Sequence, residues 1–560
     1  MISTHRQRVA NSLEPLESRI APASFLVNSL LDNGAAGTLR TEINLANTAG
    51  GSNTITFAPG LHGNIVLTSA EGGVLSITDN LAIKGPGGNK IIIQGDGSAG
   101  IFNIDSHSVK LSGLAMFDGS VTGNGGAISS LGPLAISGCT ITGSTAAGVG
   151  GGIYDHTTGA FSLKDSLVTG NSTTGGSKRG GGAYIAAEAG MLVSHSVITG
   201  NNAAGSGGGI ELNQGSGGAG NIVITGSLIS GNIAGDRGGG AHILDYSTGG
   251  GQVQISSSTF TGNKAATYGG GIYLKNNSNK PASLKTVVIS ANTATANDGG
   301  GIQDLSTEAV VIQSSRLVGN TAGEYGGGIE SQGVHPLTIQ NSSILDNEGV
   351  QLGGIESSGE TFTLIASVVS GNHTTDEVGG LGVVFPTGPA KITGSTISNN
   401  TSGTFAGGAY FGGSEAVTIS STTVTGNTAL SGAGGGLDIK TSSGSILLSN
   451  DTISHNDALG TSGGSTGGGV NLGGSATFSI VRGSIKGNLS TGDGGGVYVG
   501  ASAAGLIKDV IISANQAPAG GGFAHASGST GIVHITEPSL ITGNVGSLGK
   551  ADIYGESITP

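Results

Sequence analysis

The chain has 560 residues, 111 of them glycine, with 22 Lys and Arg against 35 Asp and Glu and a net charge of −13. So few cations exclude a surface that wraps nucleic-acid phosphate. The glycines keep no three-residue period, which excludes collagen, and no run of about 18 apolar residues offers a membrane-spanning helix.

Residues 1–22 contain no apolar stretch of the length a secretory signal needs. Leu13-Glu14-Pro15-Leu16-Glu17-Ser18-Arg19 resembles the LEPLExR leader of large exported bacterial proteins, which implies a disordered export or processing tag. Residues 23–117 are expected to form an N-terminal cap and the first coils of a stack. Thr38 to Asn47 is the one convincing amphipathic helix, with Leu39, Ile43 and Ala46 on one face. A stack of strands exposes bare core and unpaired edges at its end, and a helix laid across that end is the expected remedy.

From residue 118 to residue 560 one phrase recurs: Ser/Thr-x-apolar-x-x-Asn, a short polar stretch, a Gly-Gly or Gly-Gly-Gly run, then an alternating apolar segment. The asparagines run from Asn124 through Asn171, Asn201 and Asn232 to Asn544, with Ser144 in one copy. The residues after the glycines run from Ala127 to Phe523, 396 residues in 14 steps, a mean of 28. Ile210-Glu211-Leu212 and Val497-Tyr498-Val499 alternate with the period of a half-buried strand. Three short strands in each 28 residues, joined by glycine and asparagine turns, predict an all-β, single-stranded, right-handed parallel β-helix with a short C-terminal cap. At about 4.8 Å per turn the rod would be roughly 80–100 Å long and one domain.

The bends call for residues at positive φ, which glycine accepts freely and asparagine tolerates, and stacked asparagines can also bond to one another. A calcium ladder would need an aspartate in a recurring nonapeptide. Only Asp298 and Asp493 stand before a glycine run in this way, so no metal and no cofactor are expected. Cys139 is alone, which excludes a disulfide framework. It stands where sister copies carry Ser or Thr and reads as an inert buried thiol.

Gly125-Gly126-Ala127-Ile128 and Phe260-Thr261-Gly262-Asn263 match the paired GGA[ILV] and FxxN motifs, so the region from about residue 118 to 553 resembles the polymorphic outer-membrane protein repeats of autotransporters. That resemblance implies a pectin-lyase-like β-helix and an exported, cell-surface, outer-membrane-associated or extracellular protein. Ser24-Phe25-Leu26-Val27 and Leu81-Ala82-Ile83-Lys84-Gly85-Pro86 likewise resemble the opening of bacterial β-helix surface proteins.

Alternation places one residue of each copy outward in a vertical column: Tyr154, Tyr184, Glu211, His242, Tyr273, Gln303, Glu330, Glu356, Gly382, Tyr410, Asp438, Asn471, Tyr498 and Ala524. Aromatic faces and carboxylates in one line suit a sugar chain. Tyr154, Tyr184, Glu211, His242, Tyr273, Glu330, Glu356, Tyr410, Asp438 and Tyr498 are the candidate glycan-binding residues. Glu330 and Glu356, one turn apart, approach the spacing of a retaining glycosidase pair. Against catalysis, no Arg or Lys falls on the column and no long loops wall it. The sequence is therefore read as a non-catalytic, monomeric surface structure or adhesin. Its expected partners are polysaccharide or components of a neighbouring or host cell surface, and not nucleic acid. The alternative is a carbohydrate-binding or polysaccharide-degrading protein.

Overall fold

The computed structural model describes residues 22–384, 386–413, 415–460, 464–555 and 557–559. Apart from Pro22, the expected leader lies outside them. The remainder winds as a right-handed parallel β-solenoid of about 19 turns. One turn shows the plan: Ile210–Gln214, Ile222–Thr225, Leu228–Ser230 and Ile233–Ala234 form strands in succession. Each pairs in parallel with its copy one turn on, as in Ile210↔Ala241 and Ile222↔Val253.

The four ladders hold 18, 20, 18 and 16 strands among the described residues. Three of them answer the expectation from alternation. The fourth consists of two-residue strands such as Asn202–Ala203. Two residues are too few to show a period, so sequence alternation cannot reveal it.

Inward-facing residues stack into one core that runs the length of the rod, with Phe102, Phe161, Phe260, Phe362, Phe411 and Phe523 fully buried. Ile210, Ile272 and Ile329 are each at most 1% exposed. One register shifts from the expectation: Ile128, not Ala127, pairs with Ile153.

The asparagines turn the corner in a different way from the one expected. From Asn171 to Asn544 the positive φ falls on the residue before the asparagine, as at Gly200 (62°) and Ala291 (52°), and the asparagine itself forms a ladder. Asn201 Oδ1 accepts from both the backbone N–H and Nδ2 of Asn171, each at 3.0 Å, while Asn201 Nδ2 donates to the Val168 carbonyl. The pattern repeats from Asn171 to Asn544. Asn124 is not part of it: that coil places Gly119 at the ladder position, where its N–H donates to Ser144 Oγ.

In nine of the fourteen coils from Asn171 to Asn544 a serine stands five residues before the asparagine, and it builds a second ladder, with Ser166, Ser196 and Ser227 each donating its N–H to the next hydroxyl. Cys139 occupies this position and donates its N–H to Ser166 Oγ. Burial pushes its thiol up to about 11, so it stays an inert thiol.

The N-terminal helix spans Leu39–Ala49, capped by the Thr38 hydroxyl, and buries Leu39, Ile43 and Ala46. It also buries Glu42, whose Oε1 accepts from the Gly37 N–H at 3.0 Å. Arg40 pins the cap by a two-pronged bond to Asp32, at 2.7 and 2.9 Å, and by bonds to the carbonyls of Gly73 and Val74.

Candidate functional site

The strands after the glycine runs do bring the predicted residues into one column. Its members pair in order, Tyr154↔Tyr184↔Glu211↔His242↔Tyr273↔Gln303↔Glu330. The column continues Glu330↔Glu356↔Gly382↔Tyr410↔Asp438↔Asn471↔Tyr498↔Ala524.

The column is not the open solvent face that alternation implies. Glu211, Glu330 and Asp438 are fully buried, and His242 and Tyr273 nearly so. The reason is the turn leading into each glycine run, which arches over the column. From these arches Arg179 reaches Glu211 at 3.2 Å, and Arg237 lies 5.4 Å from the Tyr273 ring centre. Lys440, two residues beyond Asp438 on its strand, pairs with it at 3.0 Å. Cations therefore do bear on the column, although none belongs to it. Around His242 the column is nearly closed: the His242 Nδ1 sits 3.0 Å from Glu211 Oε2 and its ring packs 4.8 Å from Tyr273.

Two cavities border the column. Near its start the Tyr154 and Tyr184 rings stack at 5.8 Å and 20°. They line a cavity of about 250 Å³ with His156, Lys178 and Arg179. Farther along, Glu356 and Tyr410 open into a cavity of about 340 Å³ whose other walls include Tyr325, Glu377, Val378 and Phe405. Tyr498 remains half-buried.

The second cavity exists because the repeat changes there. In three consecutive coils the first glycine of the run is replaced, giving Leu352-Gly353-Gly354, Val378-Gly379-Gly380 and Ala406-Gly407-Gly408. Gly326, the counterpart one turn earlier, has φ +62°, whereas none of the three replacements is left-handed. The arch therefore takes another path, and Leu352, Val378 and Ala406 form an apolar cluster against Tyr325 and Tyr410. The column contributes no side chain at Gly382, and Leu352 fills that place. Tyr325, Phe405 and Glu377 escaped the sequence reading because they lie in turns that alternation does not phase. The broken glycine runs were the signal that marks them.

Electrostatics set this cavity apart. Burial, then the adjoining Glu356 carboxyl, hold Glu330 well above the usual carboxylate range. Burial pushes Glu356 up to about 7, partly offset by Glu330. Burial and the carboxylates of Glu377 and Glu356 push the Tyr325 phenol up to about 12. Glu356 Oε2 is buried and receives no N–H donor. Among the described residues no group of three or more His, Cys, Asp or Glu side chains is placed to hold a metal ion.

The family model for the right-handed β-helix region matches residues 242–406 and 380–552. No curated protein sequence matches the chain. Among solved structures, the A-module of Azotobacter vinelandii mannuronan C-5 epimerase AlgE6 is 14% identical, covering 79% of this chain and 93% of its own, with a TM-score of 0.27. A mannuronic acid-specific polysaccharide family 6 lyase from human gut microbiota is 8% identical, covering 92% and 87%, with a TM-score of 0.17.

Proposed function

The chain belongs to the right-handed β-helix family, and on that premise we propose that it is a non-catalytic, glycan-binding rod of the adhesin kind, exported to the cell surface or the extracellular space. Its partner would be polysaccharide or the glycan coat of a neighbouring or host cell, held at two aromatic-walled cavities along the column. The repeat type would be that of polymorphic outer-membrane proteins.

The observation that carries this reading is that two cavities along the column have aromatic walls. Sugar rings present apolar faces edged by hydroxyls, and a site for them needs aromatic walls with a few polar groups. Tyr154 and Tyr184 with Lys178 and His156 fit that description, as do Tyr325, Phe405 and Tyr410 with Glu356 and Ser358. Counting six turns from Tyr184 to Glu356, the parallel-strand spacing separates the pockets by roughly 29 Å. A rigid rod holds that spacing fixed, which favours an extended polymer over a small molecule.

The non-catalytic part rests on Glu330. A glycosidase pair needs both carboxyls at the scissile bond, and Glu330 is 0% exposed beneath its neighbours. Glu356, which reaches the cavity and titrates near neutrality, favours a second reading in which it acts as a general acid in polysaccharide cleavage.

The test is binding of the full chain to a polysaccharide panel and to a glycan array. Retention of at least one glycan is expected, with loss in Tyr154→Ala/Tyr184→Ala or in Phe405→Ala. No retention anywhere refutes the reading. Reducing-end release that disappears in Glu356→Gln would replace it with the enzymatic one. Fractionation that leaves the protein wholly in the cytosol would remove the surface assignment.

A further inference from the structure

We propose that the cavity between Tyr325, Phe405 and Tyr410 is an ammonium site, and that the saccharide it takes carries a free, protonated amine. This rests on the glycan-binding reading and names the chemistry of its ligand. Three aromatic side chains line this one space, and aromatic faces attract a cation, the more strongly when it is desolvated. Two carboxyl side chains, Glu356 and Glu377, share the cavity wall, and no Lys, Arg or His lines it.

The rings already face positive charge. The Lys440 ammonium lies 5.4 Å from the centre of Phe405 and 5.8 Å from that of Tyr410. Its own charge is engaged by Asp438 at 3.0 Å, outside the cavity wall. Within the cavity Glu356 Oε2 is buried and receives no N–H donor. A buried carboxylate oxygen without such a donor is costly, and an N–H donor of opposite charge is the group that relieves it. Burial and then the Asp298 and Glu377 carboxylates raise the Glu356 carboxyl, with a hydrogen bond from Glu330 offsetting part.

An acetylated amine fits this wall poorly. It would bring a carbonyl acceptor and a methyl group against two carboxyls and carry no charge. A uronate would bring like charge against Glu356 and Glu377. The other aromatic pocket, with Lys178, Arg179 and His156 around Tyr154, has the opposite electrostatic character, so the preference belongs to this cavity alone.

The experiment titrates the full chain calorimetrically at neutral pH with three probes: a glucosamine hexamer, the N-acetylglucosamine hexamer of the same linkage, and tetramethylammonium. The first hexamer is expected to bind at least about tenfold more tightly than the second, the scale of one desolvated cation–π contact. Phe405→Ala and Glu377→Gln should each weaken it about fivefold or more. Glu377 is partly exposed, so its variant keeps the fold, which circular dichroism verifies. Equal or tighter binding of the acetylated hexamer, or indifference to both variants, overturns the proposal. If a neutral or anionic saccharide binds through Phe405 and the glucosamine hexamer does not, the glycan reading survives and the ammonium site falls. If tetramethylammonium binds through Phe405 and no saccharide does, the ammonium site survives and the glycan reading falls. Silence from all three probes overturns both.

Discussion

Asp552 stands where the next asparagine of the ladder would be. Its Oδ1 accepts from the backbone N–H of Asn544 at 3.1 Å and from Asn544 Nδ2 at 2.9 Å, the same pair of bonds that Asn544 Oδ1 receives from Asn515. The corner at Asn544 thus satisfies its donors with Asp552. Asp552→Ala would leave two donors without an acceptor, at about 1–3 kcal/mol. In a solenoid each turn feels mainly its neighbours. The loss should therefore appear as faster amide exchange in the coils around Asn515 and Asn544 and leave the coils around Asn232 unchanged. Asp552→Asn keeps the acceptor and should behave as wild type. Uniform loss of protection along the rod would refute this local role of Asp552.

The coil, the inward apolar stacks and the capping helix were legible because each is periodic: Ile210, Ile272 and Ile329 recur at fixed phase, and Leu39, Ile43 and Ala46 share a helical face. The column was legible as a column for the same reason. Its burial was not, because the arches over it are aperiodic turns. Arg179, Tyr325 and Phe405 come to it through a chain path that glycine φ values decide. The inward position also hid its exceptions. Asp155 and Asp304 sit at the phase of Ile185 and Leu274, and alternation calls for an apolar residue there.

Asp155 is an inward carboxyl with both oxygens buried. Burial raises it from 3.8 to about 8, with Ser130 offsetting only part. Between these values the folded chain holds a proton that the unfolded chain has released, so stability falls as pH rises from about 4 to about 8. Asp155→Asn cannot lose a proton there. Urea midpoints at pH 5 and pH 8 should converge in the variant relative to wild type, with the variant more stable at pH 8. An unchanged gap between the two midpoints would show that Asp155 does not set it.

Asp304 answers the same problem with a partner. His335 Nε2 lies 2.8 Å from Asp304 Oδ2, both side chains being at most 1% exposed, and the Ser331 hydroxyl donates to the same oxygen at 3.1 Å. Burial works against the charged imidazole, but the hydrogen bond and charge of Asp304 outweigh it and hold His335 above 6.5. A raised histidine contributes fully below 6.5, and that contribution is lost as pH climbs through the raised value. His335→Leu strands a buried carboxylate and should cost about 3–5 kcal/mol near neutrality, whereas Asp304→Leu/His335→Leu removes both charges and should cost less than either single change. A double variant as unstable as the sum of the singles would mean the two groups do not form a pair.

Gly382 and Gly380 lie two residues apart on the same arch-to-strand path, yet they meet different neighbours. A Cβ on Gly380 would run into the backbone carbonyl of Gly408 on the next turn, which cannot move without parting the ladder. A Cβ on Gly382 would meet the end of the Leu352 side chain, and its backbone is not left-handed, so an L residue is permitted. Gly380→Val should therefore fail to fold, or lose cooperativity in thermal melts. Gly382→Val should fold at a cost of about 1–3 kcal/mol, the usual scale of overpacking. Its effect should fall on the cavity: the valine displaces Leu352 toward Tyr325 and Tyr410, and the space beside Glu356 shrinks. Saccharide binding that depends on Phe405 should drop while binding that depends on Tyr154 is retained. The two glycine variants together separate a backbone packing requirement from a ligand requirement. If Gly382→Val binds as wild type, the space opened at this gap in the column is not where the ligand sits.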